Sequence, residues 1–314
     1  MNSDIEIRGL NVSFIDGGAV SPAVVDVNAV FPAGTVTGLI GESGSGKSVL
    51  GMSILQLLPG STRVAGQCLY RGQDLYRLGE KEIRQIRGQE IALIPQNPSE
   101  SLNPIRTIGR QLTEGVAAHG ERDRAKAGIR RDALLRRFGF DDPGRINASY
   151  TFQLSGGMNQ RVIAALGLMD RPRWVIADEP TKGLDAILRR QVCATLREIS
   201  RSETEGMIVI THDIALAAAL CGRLMVLYKG TVLEQGSAEQ VVNRPLHPYT
   251  RGLIDSLPGR GMHPIPRALP ERTGMTGGCR FYPRCAIAEP RCGLALPPET
   301  HPEEGRTVRC YRYA

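Results

Sequence analysis

The chain has 314 residues, with 39 Lys and Arg against 32 Asp and Glu, a net charge of +7, and seven cysteines. At 41% hydrophobic and 23% charged residues, its composition is that of a folded globular protein and excludes a disordered or collagen-like chain. The longest charge-free apolar run near the end, residues 214–222, is nine residues long, whereas a membrane-spanning helix needs roughly 20. The opening MNSDIEIRGL carries two acids and no apolar stretch. The expectation is a chain without a secretory signal, kept in the cytoplasm with its cysteines reduced. The basic surplus forms no dense run and no stripe interleaved with aromatics, so it reads as solvated surface rather than a nucleic-acid footprint.

In chain order, residues 5–7 and 10–14 alternate and predict two short strands. A β-branched run over 24–31, closed by Pro32-Ala33-Gly34, predicts another, and 36–40 predicts a buried strand. A Gly-rich loop follows, then an apolar helix over about 48–58, stopped by Pro59-Gly60. Residues 91–94 predict a short apolar strand. From 106 to 150, apolar residues such as Leu134, Leu135 and Phe138 recur at helical spacing among many charges, which predicts a helical insert. Residues 174–177 and 207–210 predict returning strands beside helices, the pattern of a parallel sheet with crossovers. Residues 224–227 and 231–233, around Lys229-Gly230, predict a final hairpin. Beyond about Pro245, Pro and Gly become frequent, with Pro264, Pro266 and Pro270 close together. This predicts a linker or irregular appendage rather than more sheet.

Three segments carry chemistry. Gly41-Glu42-Ser43-Gly44-Ser45-Gly46-Lys47-Ser48 fits the P-loop pattern, with a strand before it and a helix after it. Glycines at Gly41, Gly44 and Gly46 let backbone N–H groups, including that of Ser43, turn inward around phosphate oxygens, helped by the helix N-terminus. Lys47 supplies a point charge to the β- and γ-phosphates, and the Ser48 hydroxyl can ligate Mg²⁺. The apolar run into Asp178-Glu179-Pro180 places two carboxylates at the end of a strand. Asp178 is the candidate for the Mg²⁺ shell, and Glu179 for polarising an attacking water. Leu154-Ser155-Gly156-Gly157 precedes an apolar helix, so Ser155 and the N–H groups of Gly156 and Gly157 form a candidate anion site.

In this order, these segments resemble the ATPase subunit of ABC transporters. The resemblance runs from about residue 4 to residue 312. It implies an α/β fold: a RecA-like P-loop core, an antiparallel β subdomain, a helical subdomain over about 97–170 that carries the signature, and an irregular cysteine-rich extension. The ATPase domain would cover 1–244 and the extension 245–314. It also implies that the signature of one subunit (Ser155, Gly156, Gly157) closes over ATP on the P-loop of another. Gln96 matches the Q-loop glutamine, which contacts Mg²⁺ and water, and Asp185 matches the D-loop aspartate. His212 matches the switch histidine on the γ-phosphate, and Phe14 the aromatic that stacks on adenine. Two departures stand out: Met158 follows the signature where Gln is usual, and the D-loop reads Thr181-Lys182-Gly183 where Thr-Thr-Ala is commoner.

Asn97-Pro98, Ser101-Leu102-Asn103-Pro104 and Arg244-Pro245-Leu246-His247-Pro248-Tyr249-Thr250 look like the dipeptide and oligopeptide importer branch, whose near relatives import nickel and other metal chelates. This implies a peripheral subunit on the cytoplasmic face of the inner membrane, driving import by ATP hydrolysis. Its partners would be a second ATPase, commonly a paralogue, two integral membrane permease subunits and, indirectly, an extracytoplasmic binding protein. No nucleic acid is expected. The rival class is a soluble ABC ATPase acting on nucleic acid or the ribosome. About 110 residues separate Lys47 from Ser155 without sustained heptads, and the chain carries a single ATPase half, which disfavours that rival. A third reading, a regulatory subunit with an inactive site, is disfavoured by the presence of Lys47, Asp178, Glu179 and His212.

Cys279, Cys285, Cys292 and Cys310 cluster near the end. Their spacing alone leaves an iron–sulfur cluster, a zinc site or no metal open. Gly278-Cys279-Arg280-Phe281-Tyr282-Pro283-Arg284-Cys285 resembles the segment of this branch that binds a [4Fe-4S] cluster, which implies that these four are ligands. From Gly259 onward there are nine Arg and five Glu, so over half of the charge surplus lies on this tail. The expectation is that this charge faces the partner subunit or acidic lipid headgroups.

Overall fold

The chain begins with two long antiparallel strands, β1 (Ile5–Asp16) and β2 (Ala19–Phe31). β1 is one strand, not the two short ones that the alternation predicts. Gly9 takes φ 57° and Asn28 Oδ1 accepts its N–H at 2.8 Å, so a bulge carries the ladder through to Leu10. Then come β3 (Val36–Ile40) and α1 (Lys47–Ile54). α1 stops short of the predicted residue 58. Gln56 takes a left-handed φ of 52°, and Arg87 donates to Leu55 O and Gln56 O at 2.8 and 2.9 Å, capturing carbonyls at the helix end.

Next are β4 (Thr62–Tyr70), β5 (Gln73–Asp74), α2 (Glu80–Ile86) and β6 (Ile91–Ile94). The predicted helical insert follows as α3 (Pro98–Ser101), α4 (Ile108–Ala118), α5 (Arg124–Arg137), α6 (Pro143–Ala148) and α7 (Gly156–Gly167). The core then resumes with β7 (Trp174–Asp178), α8 (Ala186–Ser202), β8 (Gly206–Thr211), α9 (Ile214–Leu220), β9 (Arg223–Tyr228) and β10 (Thr231–Ser237). The chain ends with α10 (Ala238–Asn243), α11 (Pro248–Asp255), α12 (Arg291–Leu294), β11 (Thr300–Glu303) and β12 (Arg306–Val308). This computed structural model describes residues 3–269 and 277–314; Pro270, part of the predicted linker, lies outside them.

Two sheets carry the fold. The smaller one runs β2-β1-β4-β5 and is antiparallel. The larger runs β11-β12-β10-β9-β3-β8-β7-β6, parallel from β9 to β6 and antiparallel beyond β9. Every residue of β7 and β8 is buried, as strands covered on both faces must be. Ile176, Ile208, Leu39 and Met225 point toward the small sheet and α1. Val175, Ala177, Val209 and Val226 point toward the helices. Among the described residues, no helix is long and apolar enough to cross a membrane.

The tail corrects two expectations. The hairpin of β9 and β10 is not the last piece of sheet, because β12 pairs with β10 and β11 with β12. A buried ion pair drives this. Arg306 and Glu234 are both fully buried, with Nη2 donating to Oε1 at 2.7 Å. Glu234 also accepts the N–H groups of Leu246 and His247 at 3.0 and 2.8 Å, which ties the segment between α10 and α11 back onto β10. The tail's positive charge is also partly turned inward. Arg284, Arg306 and Arg309 pair with Glu42, Glu234 and Asp26 of the core rather than facing outward.

Removing one partner of a buried pair leaves an uncompensated charge. Arg306→Leu is expected to lower stability by about 3–5 kcal/mol, read as a drop in the urea midpoint. The double variant with Glu234→Leu should recover part of that loss, because both buried charges are then gone.

Candidate functional site

The site begins where β3 ends. Two glycines permit the tight turn into α1. Gly41 takes φ 150°, and a Cβ there would sit 2.1 Å from Leu227 O. Gly46 takes φ 99°, and its Cβ would sit 2.5 Å from Ala23 O. No side chain fits either position. The loop is docked by Gly230 N donating to Ser45 O at 2.8 Å. Lys47, the first residue of α1, is buried and folded back on the loop, with Nζ donating to Gly41 O at 2.8 Å and Glu42 O at 2.9 Å. Burial pulls its pKa down, against the opposing pull of Glu179, Asp178 and Glu42.

A cleft of about 320 Å³ opens over this loop. Ser43, Gly44, Gly46, Lys47, Ser48, Gln96, Asp178 and Glu179 line it, and Phe14 of β1 stands at its edge with Ala23. Asp178, the last residue of β7, accepts a hydrogen bond from Ser48. Its Oδ1 is buried with no hydrogen-bond partner. Burial pushes its pKa up, while Ser48, Lys47 and Lys182 favour the carboxylate. A buried carboxylate oxygen left open beside the Ser48 hydroxyl offers the oxygen donors that a hard cation such as Mg²⁺ takes.

Glu179 is buried and held from three sides. Thr211 Oγ1 donates to Oε2 at 3.3 Å, the His212 N–H donates to Oε1 at 2.9 Å, and His212 Nδ1 lies 2.6 Å from the same oxygen. Its backbone takes a left-handed φ of 47°, a strain of about 1–3 kcal/mol for a residue with a side chain. Gln160 of α7 donates to its carbonyl at 3.4 Å, which ties the signature helix to the acidic strand. Thr211 and Gln160 escape a motif reading because hydroxyl and amide side chains at those places have no distinctive spacing.

The remaining predicted residues do not line the cleft. Ser155 caps α7, accepting the N–H of Met158 at 3.3 Å, and it is exposed with Gly156, while Gly157 packs against Leu184. Met158 packs against the main core. Asp185 caps α8, taking the N–H groups of Ile187 and Leu188 at 2.9 Å each. His212 reaches Glu179, but its ring is largely exposed. Within one chain the signature and D-loop residues therefore do not meet the P-loop. Gly183 has a local reason: it takes φ 74°, which an alanine would strain.

Cys279, Cys285, Cys292 and Cys310 line one shared cavity with His247 and Phe281. None of the seven cysteines forms a disulfide. The four sulfurs are not drawn into a cage: among the described residues no group of three or more His, Cys, Asp or Glu is placed to hold a metal ion. The donor chemistry, four thiols in one pocket, still suits a soft metal or a cluster.

Comparison with known proteins agrees with this geometry. A family model described as ABC transporter matches residues 24–182, and one described as Oligopeptide/dipeptide transporter, C-terminal region, matches 233–292. The chain is 36% identical to the probable peptide ABC transporter ATP-binding protein y4tR of Sinorhizobium fredii, covering 98% of this chain and 94% of that one. It is 37% identical to the dipeptide transport ATP-binding protein DppD of Escherichia coli, covering 98% and 96%. Its fold is like that of the dimeric ATP-binding cassette MJ0796 bound to ADP and Pi, with a TM-score of 0.68 at 23% identity over 74% of this chain and 98% of that one. With its P-loop, acidic strand and signature helix on this fold, the chain belongs to the ABC transporter family as an ATP-binding subunit, in the branch that carries the oligopeptide/dipeptide transporter C-terminal region.

Proposed function

We propose that this chain is the ATP-hydrolysing motor of an importer of di- and oligopeptides. The observation that carries the chemistry is Glu179, buried and fixed by Thr211 and His212 at the edge of the Lys47–Ser48–Asp178 cleft. The peptide cargo is supported by the names of the relatives.

In this reading, Phe14 stacks on the adenine. Backbone N–H groups of the loop cradle the phosphates, and Lys47 leaves Gly41 O and Glu42 O to neutralise β- and γ-oxygens. Ser48 and Asp178 would hold Mg²⁺ with Gln96 nearby, which supplies charge neutralisation on the phosphate oxygens when bound. Glu179 accepts hydrogen bonding from the attacking water and polarises it. His212 orients Glu179 from one side and reaches toward the γ-phosphate from the other. The exposed Ser155, Gly156 and Gly157, with Asp185, serve the site of a second ATPase subunit, for which a paralogue is our proposal. Residues 1–244 form the ATPase domain, 97–170 its helical part, and 245–314 the extension. The membrane path comes from permease subunits, with this chain bound peripherally at their cytoplasmic face. Cys279, Cys285, Cys292 and Cys310 would hold a [4Fe-4S] cluster. Four bonds to one group would staple a tail that has little core of its own.

Glu179→Gln keeps the shape and removes the basic oxygen. It is expected to bind ATP like the wild type while phosphate release falls by about 10²-fold or more. Near-wild-type turnover in that variant would overturn the role of Glu179. For the tail, anaerobically purified protein is expected to carry about four irons per chain, lost in Cys292→Ser. Stoichiometric zinc without iron would overturn the cluster.

A further inference from the structure

The P-loop is held from the far end of the chain. Glu42, its second residue, donates its backbone N–H to Tyr249 Oη of α11 at 2.9 Å. The Glu42 carboxylate receives Arg284 Nη1, from the cysteine-bearing segment, at 2.9 and 3.1 Å. The Glu42 carbonyl in turn accepts Lys47 Nζ at 2.9 Å. One loop residue thus links two tail side chains to the phosphate-binding lysine.

Both tail side chains stand on a packed platform. Tyr249 and Phe281 are buried, and Tyr228, Tyr249 and Phe281 meet with ring centroids 4.5–5.4 Å apart. Arg284 lies along Tyr228 and Phe281, donates to Tyr228 Oη at 3.3 Å and gives its Nε to Pro266 O at 2.8 Å. These contacts fix the guanidinium before any ligand arrives, so the pairing with Glu42 costs little further side-chain entropy.

Glu42 also brings a problem that the arginine answers. Its carboxylate is a negative charge on a loop built to take phosphates, within electrostatic reach of Lys47. Unpaired, it would repel the ligand and compete for the lysine. Paired with Arg284, it is neutralised. We infer that Arg284 and Tyr249 are positioning residues for nucleotide binding: Tyr249 fixes the loop's backbone, and Arg284 cancels the charge of Glu42. This rests on the proposal that the loop binds ATP.

The test is equilibrium titration of the full chain with Mg²⁺ and ATP, alongside steady-state kinetics. Arg284→Ala is expected to weaken ATP binding about tenfold at low salt, with KM raised and kcat changed by less than about threefold. The defect should shrink as salt rises toward about 1 M, because the repulsion is screened. Arg284→Lys should restore part of the affinity, and Tyr249→Phe should lose a few-fold. Adding Glu42→Gln to Arg284→Ala should return most of the lost affinity, since the charge to be cancelled is gone. A double variant as weak as Arg284→Ala would mean that the arginine only holds the tail, and would overturn the inference. Equal affinity in Arg284→Ala and wild type would overturn it as well. If Arg284→Ala fails to fold, Glu42→Gln alone decides: it should bind ATP at least as tightly as wild type, and weaker binding contradicts the inference. A wild-type chain that binds no ATP would instead overturn the functional reading.

Discussion

The parallel register of β3, β7 and β8 sets where the P-loop, the acidic pair and His212 leave the sheet. Ile40 pairs with Thr211, and Asp178 pairs with Ile210, so the three strands end within a residue or two of each other. The loop 41–46, the carboxylates of Asp178 and Glu179, and His212 therefore emerge on one edge. This is the carboxyl edge, where open α/β sheets bind their ligands. A one-residue slip of β7 would turn Asp178 toward the other face of the sheet and leave Ser48 without its partner. The bulky aliphatics that alternate along these strands are what forbid that slip, because both faces are buried.

The same edge is approached by the C-terminal extension, which is part of the molecule's working structure rather than an appendage. Glu234 organises its start and its end at once, through Leu246, His247 and Arg306. Tyr249 and Arg284 then bring it onto the loop at Glu42. Arg284 is the residue before Cys285, so the four-cysteine pocket and the phosphate loop are joined through a single side chain. The net charge of the chain acquires a different meaning. Three of the tail's nine arginines, Arg284, Arg306 and Arg309, pair with carboxylates of the core.

The candidate site was legible in the sequence wherever it is contiguous. The P-loop, the run into Asp178-Glu179 and the signature are each local strings, because one turn or one helix start needs all its residues together. β3 and β6 were legible for the same reason, as short, largely apolar runs. What escaped was long-range. The bulge at Gly9 depends on Asn28, the end of α1 depends on Arg87, and the hairpin of β11 and β12 depends on Glu234, 72 residues before Arg306. Composition alone makes residues 300–308 look irregular, since a single buried arginine, not an apolar pattern, carries them into the sheet. Tyr249 and Arg284 lie 207 and 242 residues from Glu42, beyond any pattern that spacing can reveal.

The central claim is that the cleft over Lys47 binds ATP with a metal on Ser48 and Asp178. The most direct measurement is a crystal structure of the full chain soaked or grown with Mg²⁺ and a non-hydrolysable ATP analogue. Lys47 Nζ is expected to leave Gly41 O and Glu42 O for phosphate oxygens, Phe14 to stack on the base, and a metal to bind at the Ser48 hydroxyl with Asp178 in its shell. The Glu42 contacts to Tyr249 and Arg284 are expected to persist. A nucleotide bound elsewhere, or one bound here with Lys47 still on the loop carbonyls and no metal by Ser48, would contradict the claim.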